Sequence, residues 1–367
     1  MTSEFSYPSL RCIWEYMEPN RRIHISSRSP QLRRIDKSIP FHINCLVLDE
    51  NSIEMNETEY RVRQESERVN PGDERYEKKP EEEILTPGDI VADDERSWIR
   101  ETTQFTIQFN ERNFRRHYLD TKPHLMAKRV ANLLLGGRCK IVAKTLQTAE
   151  DQKILRLPVG FKVHTSEISC LYHDFPYILP IIESSFVMNE IETYVSKEET
   201  FDHPQLRNAK RVIINGIEEW EFMDKLVTLT NEYVGILYGM FSENEFISVI
   251  RHWINNGKPN ETVWEIEYRE IEIGKLLDEL KTEFNGRLEQ FNNFVIDKRI
   301  IAATGYLAIP LNSKFELVVF GVNGNMQDSE ASSIRIQTIP KEHSKEVFGF
   351  LEWGKDLRQK FEMLFLQ

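Results

Sequence analysis

The chain has 367 residues, a net charge of −12 and 40% hydrophobic residues, including 21 Phe, 12 Tyr and 6 Trp. A length beyond ~250–300 residues predicts more than one core. The acidic balance excludes a long phosphate-neutralising surface, so nucleic acid is not an expected partner. Nor is a membrane, because no run of about 18 apolar residues occurs. The polar, proline-interrupted start has no secretory h-region. Cys12, Cys45, Cys139 and Cys170 are too widely spaced for a disulfide framework or zinc knuckles. A reducing cytoplasmic or nuclear compartment is the expectation.

Residues 8–38 read as three short helices. Pro8 suits a first helical position, where its missing N–H costs nothing. Leu10, Ile13, Trp14 and Met17 then fall on one stripe at i, i+3, i+4 and i+7. Glu18-Pro19-Asn20 breaks that helix. Ile23 and Ile25 follow, and Ser29-Pro30 starts a third segment with Leu32 and Ile35. From Phe41 the period becomes two: FHINCLVL (41–48) and IEMNETEYRV (53–62) predict two strands joined through DENS. Residues 63–96 hold twelve acidic and six basic residues and few large apolar ones, so a disordered acidic loop is expected over 63–97.

A strand at 103–109, a helix over about 123–135 ended by Gly136-Gly137, and a strand at 139–146 follow. Further strands are predicted at 190–195, 210–215, 232–237 and 263–268. Between the last two lies the clearest helix, 242–259, with Ser242 and Glu245 as a capping box and Gly257 and Pro259 as its stop. A helical stretch (274–294), a hairpin (314–341) and a C-terminal amphipathic helix complete the reading. Helix-then-strand units at 20 to 31 residues resemble leucine-rich-repeat stacking, with an irregular α/β sandwich as the alternative.

No motif for chemistry emerges. The sequence lacks a P-loop, a dinucleotide fingerprint, H-E-x-x-H and G-x-S-x-G, and its nine histidines show no ligand spacing. The glycines of LLLGGRCK follow a helix rather than precede one, which is the wrong order for a phosphate cradle. The expectation is a protein that is not an enzyme, with no catalytic residue, cofactor or metal. An unfamiliar enzyme is the least favoured alternative.

The order of residues in the head resembles the F-box: Tyr7-Pro8 stands for the family's Leu-Pro, Tyr16-Met17 for its aromatic-leucine pair, Glu18-Pro19 for its acidic-Pro turn, and Ile25-Ser26 for its leucine-serine step. The family's third-helix Trp is absent, with Leu32 and Ile35 in that region. SENEFISVIRHWINNGKPNETVWEIEY is similar to the F-box-associated units of expanded nematode F-box families, and KRVANLLLGGRCKIVAKTL with LTPGDI looks like their F-box C subgroup. The resemblance implies a fold of class α+β / α/β: a short three-helix F-box-like head over 1–40 and an irregular, partly leucine-rich-repeat-like body. In the body a strand-rich domain would cover 41–150, an F-box-associated substrate domain 151–341 and a C-terminal helix 342–367. It further implies docking on a Skp-type adaptor of a cullin–RING ubiquitin ligase and recognition of an unknown protein substrate. Pro8, Leu10, Ile13, Tyr16, Met17, Pro19, Ile23 and Ile25 are the candidate docking residues, with Arg21, Arg22 and Arg28 as candidates for steering. A free-standing interaction protein, its head merely capping the body, is the rival reading.

Overall fold

The computed structural model describes residues 7–65, 87, 89–91, 102–109, 112–118, 121–149, 154–170, 175–183, 188–217, 222–237, 241–258, 262–268, 273–291, 300–301, 305–323 and 332–341. The architecture is mixed α+β, divided into two compact units, Met1–Thr193 and Tyr194–Gln367.

Three helices open the first unit: α1 (Tyr7–Tyr16), α2 (Pro19–Ser26) and α3 (Pro30–Lys37). Each of the last two starts on a proline at its first turn, and Glu18 caps α2 by accepting a bond from the Arg21 N–H at 2.9 Å. β1 (Phe41–Leu48), β2 (Ser52–Met55) and β3 (Thr58–Glu65) follow. The segment 53–62 is therefore two strands and not the single one its alternation suggested. Asn56 turns the chain at φ 56°, while its Oδ1 accepts from the amides of Asn44 at 2.9 Å and Cys45 at 3.2 Å.

β3 runs on to Glu65 and β4 occupies Asp89–Val91, so strand invades both flanks of the expected acidic loop. The rest of that loop lies outside the described residues. β5 (Thr102–Phe109), β6 (Arg112–Tyr118), α4 (Pro123–Leu134), β7 (Ile141–Thr148), β8 (Ile154–Arg156), β9 (His164–Cys170), a 3₁₀ turn (Phe175–Ile181) and β10 (Glu190–Val195) come next. Sheet order in this unit is β10-β9-β7-β1-β2-β3-β5-β6, with β4 and β8 paired separately. β10, β9, β7 and β1 run parallel, and β1 onwards is an antiparallel meander.

The parallel strands largely alternate, one face buried and the other half-buried or exposed, and the 3₁₀ turn adds Phe175 and Ile178 to the buried side chains. Phe41, Leu46, Leu146, Ile168, Phe175 and Ile178 are at most 1% exposed. α4 packs on β3 and β5 through Met126, Val130 and Leu134. The β1–β7 ladder and the β7–β9 ladder carry this unit across residue 150, where a boundary was expected.

The second unit contains α5 (Pro204–Asn208), β11 (Arg211–Ile217), α6 (Met223–Leu226), β12 (Tyr233–Ile236), α7 (Glu243–Asn256) and β13 (Val263–Tyr268). β11, β12 and β13 are parallel neighbours. The capping box closes α7 on both sides: Ser242 Oγ accepts the Glu245 N–H, and Glu245 Oε2 accepts the Ser242 N–H at 2.5 Å. Gly257, at φ 78°, ends the helix. Trp253 of α7 meets Trp264 of β13 edge to face, with ring centroids 4.8 Å apart.

α8 (Ile273–Phe284) stops ten residues short of the expected helical stretch, because Asn285 turns left-handed at φ 51° and β14 (Arg287–Glu289) begins. β15 (Tyr306–Pro310), β16 (Phe315–Asn323) and β17 (Ser332–Pro340) then form an antiparallel set that returns to β13. The expected hairpin over 314–341 is thus present as β16 and β17. The expected C-terminal helix over 342–367 lies outside the described residues. No described helix is long and apolar enough to cross a membrane.

Candidate docking surface

The three opening helices are tied to the first unit through charge as well as packing. Arg22 is fully buried. Its Nε donates to Asp36 Oδ1 at 2.8 Å, and its Nη atoms donate to the carbonyls of Pro40, Asp36 and Ile39. The second carboxylate oxygen of Asp36 faces Arg138 at 3.1 Å, and Arg138 Nε donates to the Leu134 carbonyl at 2.7 Å. Both guanidinium groups lie over the Phe41 ring, at 5.1 and 3.5 Å from its centroid. Burial lowers the pKa of Arg138, with Asp36 opposing that shift. Desolvation and the nearby Arg138 charge lower that of Lys37. Arg22 is therefore an internal strut and not the surface steering residue the sequence suggested, whereas Arg21 and Arg28 are exposed.

Asn20 makes a second tie. Its Nδ2 donates to the Met55 carbonyl at 3.0 Å and its Oδ1 accepts the Tyr60 hydroxyl at 2.9 Å. Desolvation raises the Tyr60 pKa, with the Glu18 charge adding to it. The sequence marked Asn20 only as part of a helix break, and it showed none of the ties made by Asn20, Asp36 and Arg138, whose partners lie up to about a hundred residues away.

The eight candidate docking residues separate by face. Pro8 and Leu10 belong to α1, but their side chains are not among those described. Ile13 is 45% exposed and Tyr16 86% exposed, whereas Trp14 between them is 3% exposed. At 100° per residue, Tyr16, Ile13 and Trp14 follow one another around the helix, and Met17 lies just past its end. Exposure falls in that order, with Met17 half-buried. α1 thus meets β1 with its Trp14 side and leaves the Ile13–Tyr16 side open. In α2, Pro19 and Ile23 are buried within the fold, removing them from any surface, while Ile25 is half-buried.

In the second unit, an open groove of about 740 Å³ runs between α7 and α8, lined by Ile247, Lys275, Asp278, Glu279 and Glu283. Lys275 pairs with Glu243 at 3.1 Å, and Arg251 pairs with Glu283 at 2.5 Å. These are exposed helix-to-helix ion pairs of small energetic weight. Among the described residues, no three His, Cys, Asp or Glu side chains converge as a metal-binding group.

No curated protein and no solved structure matches the chain. Residues 122–270, from the start of α4 to just past β13, match the family model described as Domain of unknown function (DUF3557).

Proposed function

We infer that the chain is the substrate-recognition subunit of a cullin–RING ubiquitin ligase, of the F-box kind, with no bond chemistry of its own. Its head docks a Skp-type adaptor, and its body, read as leucine-rich-repeat-like in its parallel β11–β13 stretch, holds a protein substrate. Such a subunit accelerates ubiquitin transfer by placing a substrate lysine near the charged conjugating enzyme.

One observation carries this reading: Ile13 and Tyr16 stand exposed on a helix whose adjacent sector is anchored by a buried Trp14. A large apolar residue fully removed from water contributes about 1.5–3 kcal/mol. Two or three such side chains, held on a rigid helix, are the kind of anchor a partner interface uses. The order of the F-box-like residues from Tyr7 to Ser26 gives the partner its identity.

The experiment is a pull-down of purified Skp-type adaptor by wild type and by the Ile13→Asp, Tyr16→Asp double variant, with circular dichroism on both. Strong recovery by the wild type and little by the folded double variant is the expected result. Equal recovery, or none by either, rejects the adaptor role. A free-standing interaction protein is the second reading, favoured by the inward-facing Pro19, Arg22 and Ile23; it predicts no adaptor recovery at all.

A further inference from the structure

The outer strand of the first unit, β6, is strongly basic in a chain that is acidic as a whole. Its residues RNFRRHY contain three arginines and no acid, and its neighbour β5, TTQFTIQF, has no charged residue. The only acid in the sequence from residue 102 to 118 is Glu111. Arg112, Asn113, Phe114, Arg115 and Arg116 are all exposed. Among the described residues, no strand pairs with the far edge of β6.

The register sets the chemistry of that edge. Tyr60, Ile107 and Phe114 form one cross-strand row, Val62, Phe105 and Arg116 the row on one side, and Thr58, Phe109 and Arg112 the row on the other. Exposure climbs outward along the central row: Tyr60 is 7% exposed, Ile107 half-buried and Phe114 67% exposed. The apolar row begins in the core and ends on β6, beyond which no further strand continues it among the described residues. Arginines on an edge can serve simply to repel other edges. Repulsion alone, however, gives no reason to hold Phe114 and Phe109 in solvent beside them.

We propose that β6 binds an extended acidic segment of a partner protein as an added strand, with the pattern acid–x–apolar–x–acid. Residues two apart on a strand share a face. The apolar side chain stands opposite Phe114, continuing the Ile107 row, while the flanking carboxylates stand opposite Arg112 and Arg116. Backbone hydrogen bonds to the open edge supply the sequence-independent part of the affinity, and the side-chain rows supply specificity. The pattern reads the same in either strand direction. The site is independent of the opening helices, so the inference stands whether or not the adaptor reading does.

The test uses the full chain and fluorescein-labelled peptides with the core Glu-Thr-Val-Thr-Glu, followed by anisotropy. Controls are Lys-Thr-Val-Thr-Lys, the acidic peptide N-methylated at the amides facing the edge, and a 15-mer of oligo(dT). The acidic peptide is expected to bind, to weaken as salt rises, and to lose about tenfold in affinity when Arg112 and Arg116 are both changed to serine. Phe114→Ser, also a solvent-facing change, is expected to weaken it as well. The N-methylated and lysine peptides are expected not to bind. Equal binding of the N-methylated peptide overturns strand addition, since charge alone would then suffice. Oligo(dT) binding in preference to the peptide overturns the choice of partner. Absence of acidic-peptide binding overturns the site.

Discussion

Asp36 holds two guanidinium groups at once, and all three side chains are 1% exposed. Breaking a buried ionic set by removing one member leaves the remaining charges without compensation, at a cost of about 3–5 kcal/mol. Asp36→Ala is expected to lower stability by that amount in urea denaturation, whereas Arg34→Ala on the exposed side of α3 should fall within about 0.5 kcal/mol of wild type. Similar losses for both would show that the Arg22–Asp36–Arg138 set is not a strut. Lys258 presents the opposite case. It is buried with no acid paired to it among the described residues, its Nζ donating to the carbonyls of Thr262 at 2.9 Å and Ile336 at 3.3 Å and lying 4.7 Å from the Trp253 ring centroid. Desolvation brings its pKa from the ordinary 10.5 down to about 7. Between those values the unfolded chain binds the proton and the folded chain releases it, so this residue makes stability rise with pH from about 7 to about 10.5. Its penalty is complete below pH 7. Lys258→Met is expected to be more stable than wild type at pH 6.5, with the gap narrowing by up to about 1.4 kcal/mol per pH unit as pH climbs through that window. Urea midpoints of the two proteins that run parallel from pH 6.5 to 10 would sink this assignment.

Along α1 the structural and the exposed positions interleave, so neighbouring substitutions should behave in opposite ways. Trp14→Ala removes the buried anchor and is expected to cost about 3–5 kcal/mol; the Ile13→Asp, Tyr16→Asp pair lies in solvent and should change the melting temperature little. A comparable fall in melting temperature for both variants would mean that the whole helix is sealed. This contrast was not legible in the sequence. The apolar stripe identified the helix, but a helical wheel does not say which of two adjacent apolar sectors meets its own chain. By contrast, α7 was readable almost to the residue, because Ser242, Glu245 and Gly257 act locally on the helix they bound. β11, β12 and β13 were readable too, as short β-branched and aromatic runs between breakers. The division of 53–62 into β2 and β3 had a signal that simple alternation hid. Ile53 and Met55 occupy odd positions, Tyr60 and Val62 even ones, and that change of phase places a two-residue turn at Asn56-Glu57. The end of α8 was missed for a similar reason: Asn285-Gly286 is a stop, but the apolar period around it continues.

Across the whole chain, the matched segment 122–270 is not what either unit requires in order to close its sheet. At one end, β7 pairs with β1 along the full length of both strands, and Phe41, Leu46 and Leu48 of β1 are at most 1% exposed. At the other, β13 pairs with β17 over six residues, and Glu265, 5% exposed, is neutralised by Arg335 of β17 at 2.8 Å. A fragment cut at residues 122 and 270 would present two long apolar strand edges to solvent. It would also leave Glu265 without its arginine partner, and a marginally stable domain cannot absorb these losses. The head is bound by the same logic, since Arg138, just after α4, relies on Asp36. The fragment 122–270 is therefore expected to lack a cooperative thermal transition and to show poor amide dispersion in proton–nitrogen spectra. The chain from residue 7 to 341 should melt cooperatively. A cooperative transition in the 122–270 fragment, at a temperature near that of the longer chain, would mean that β1 and β17 are accessories to a self-sufficient domain rather than parts of its sheet.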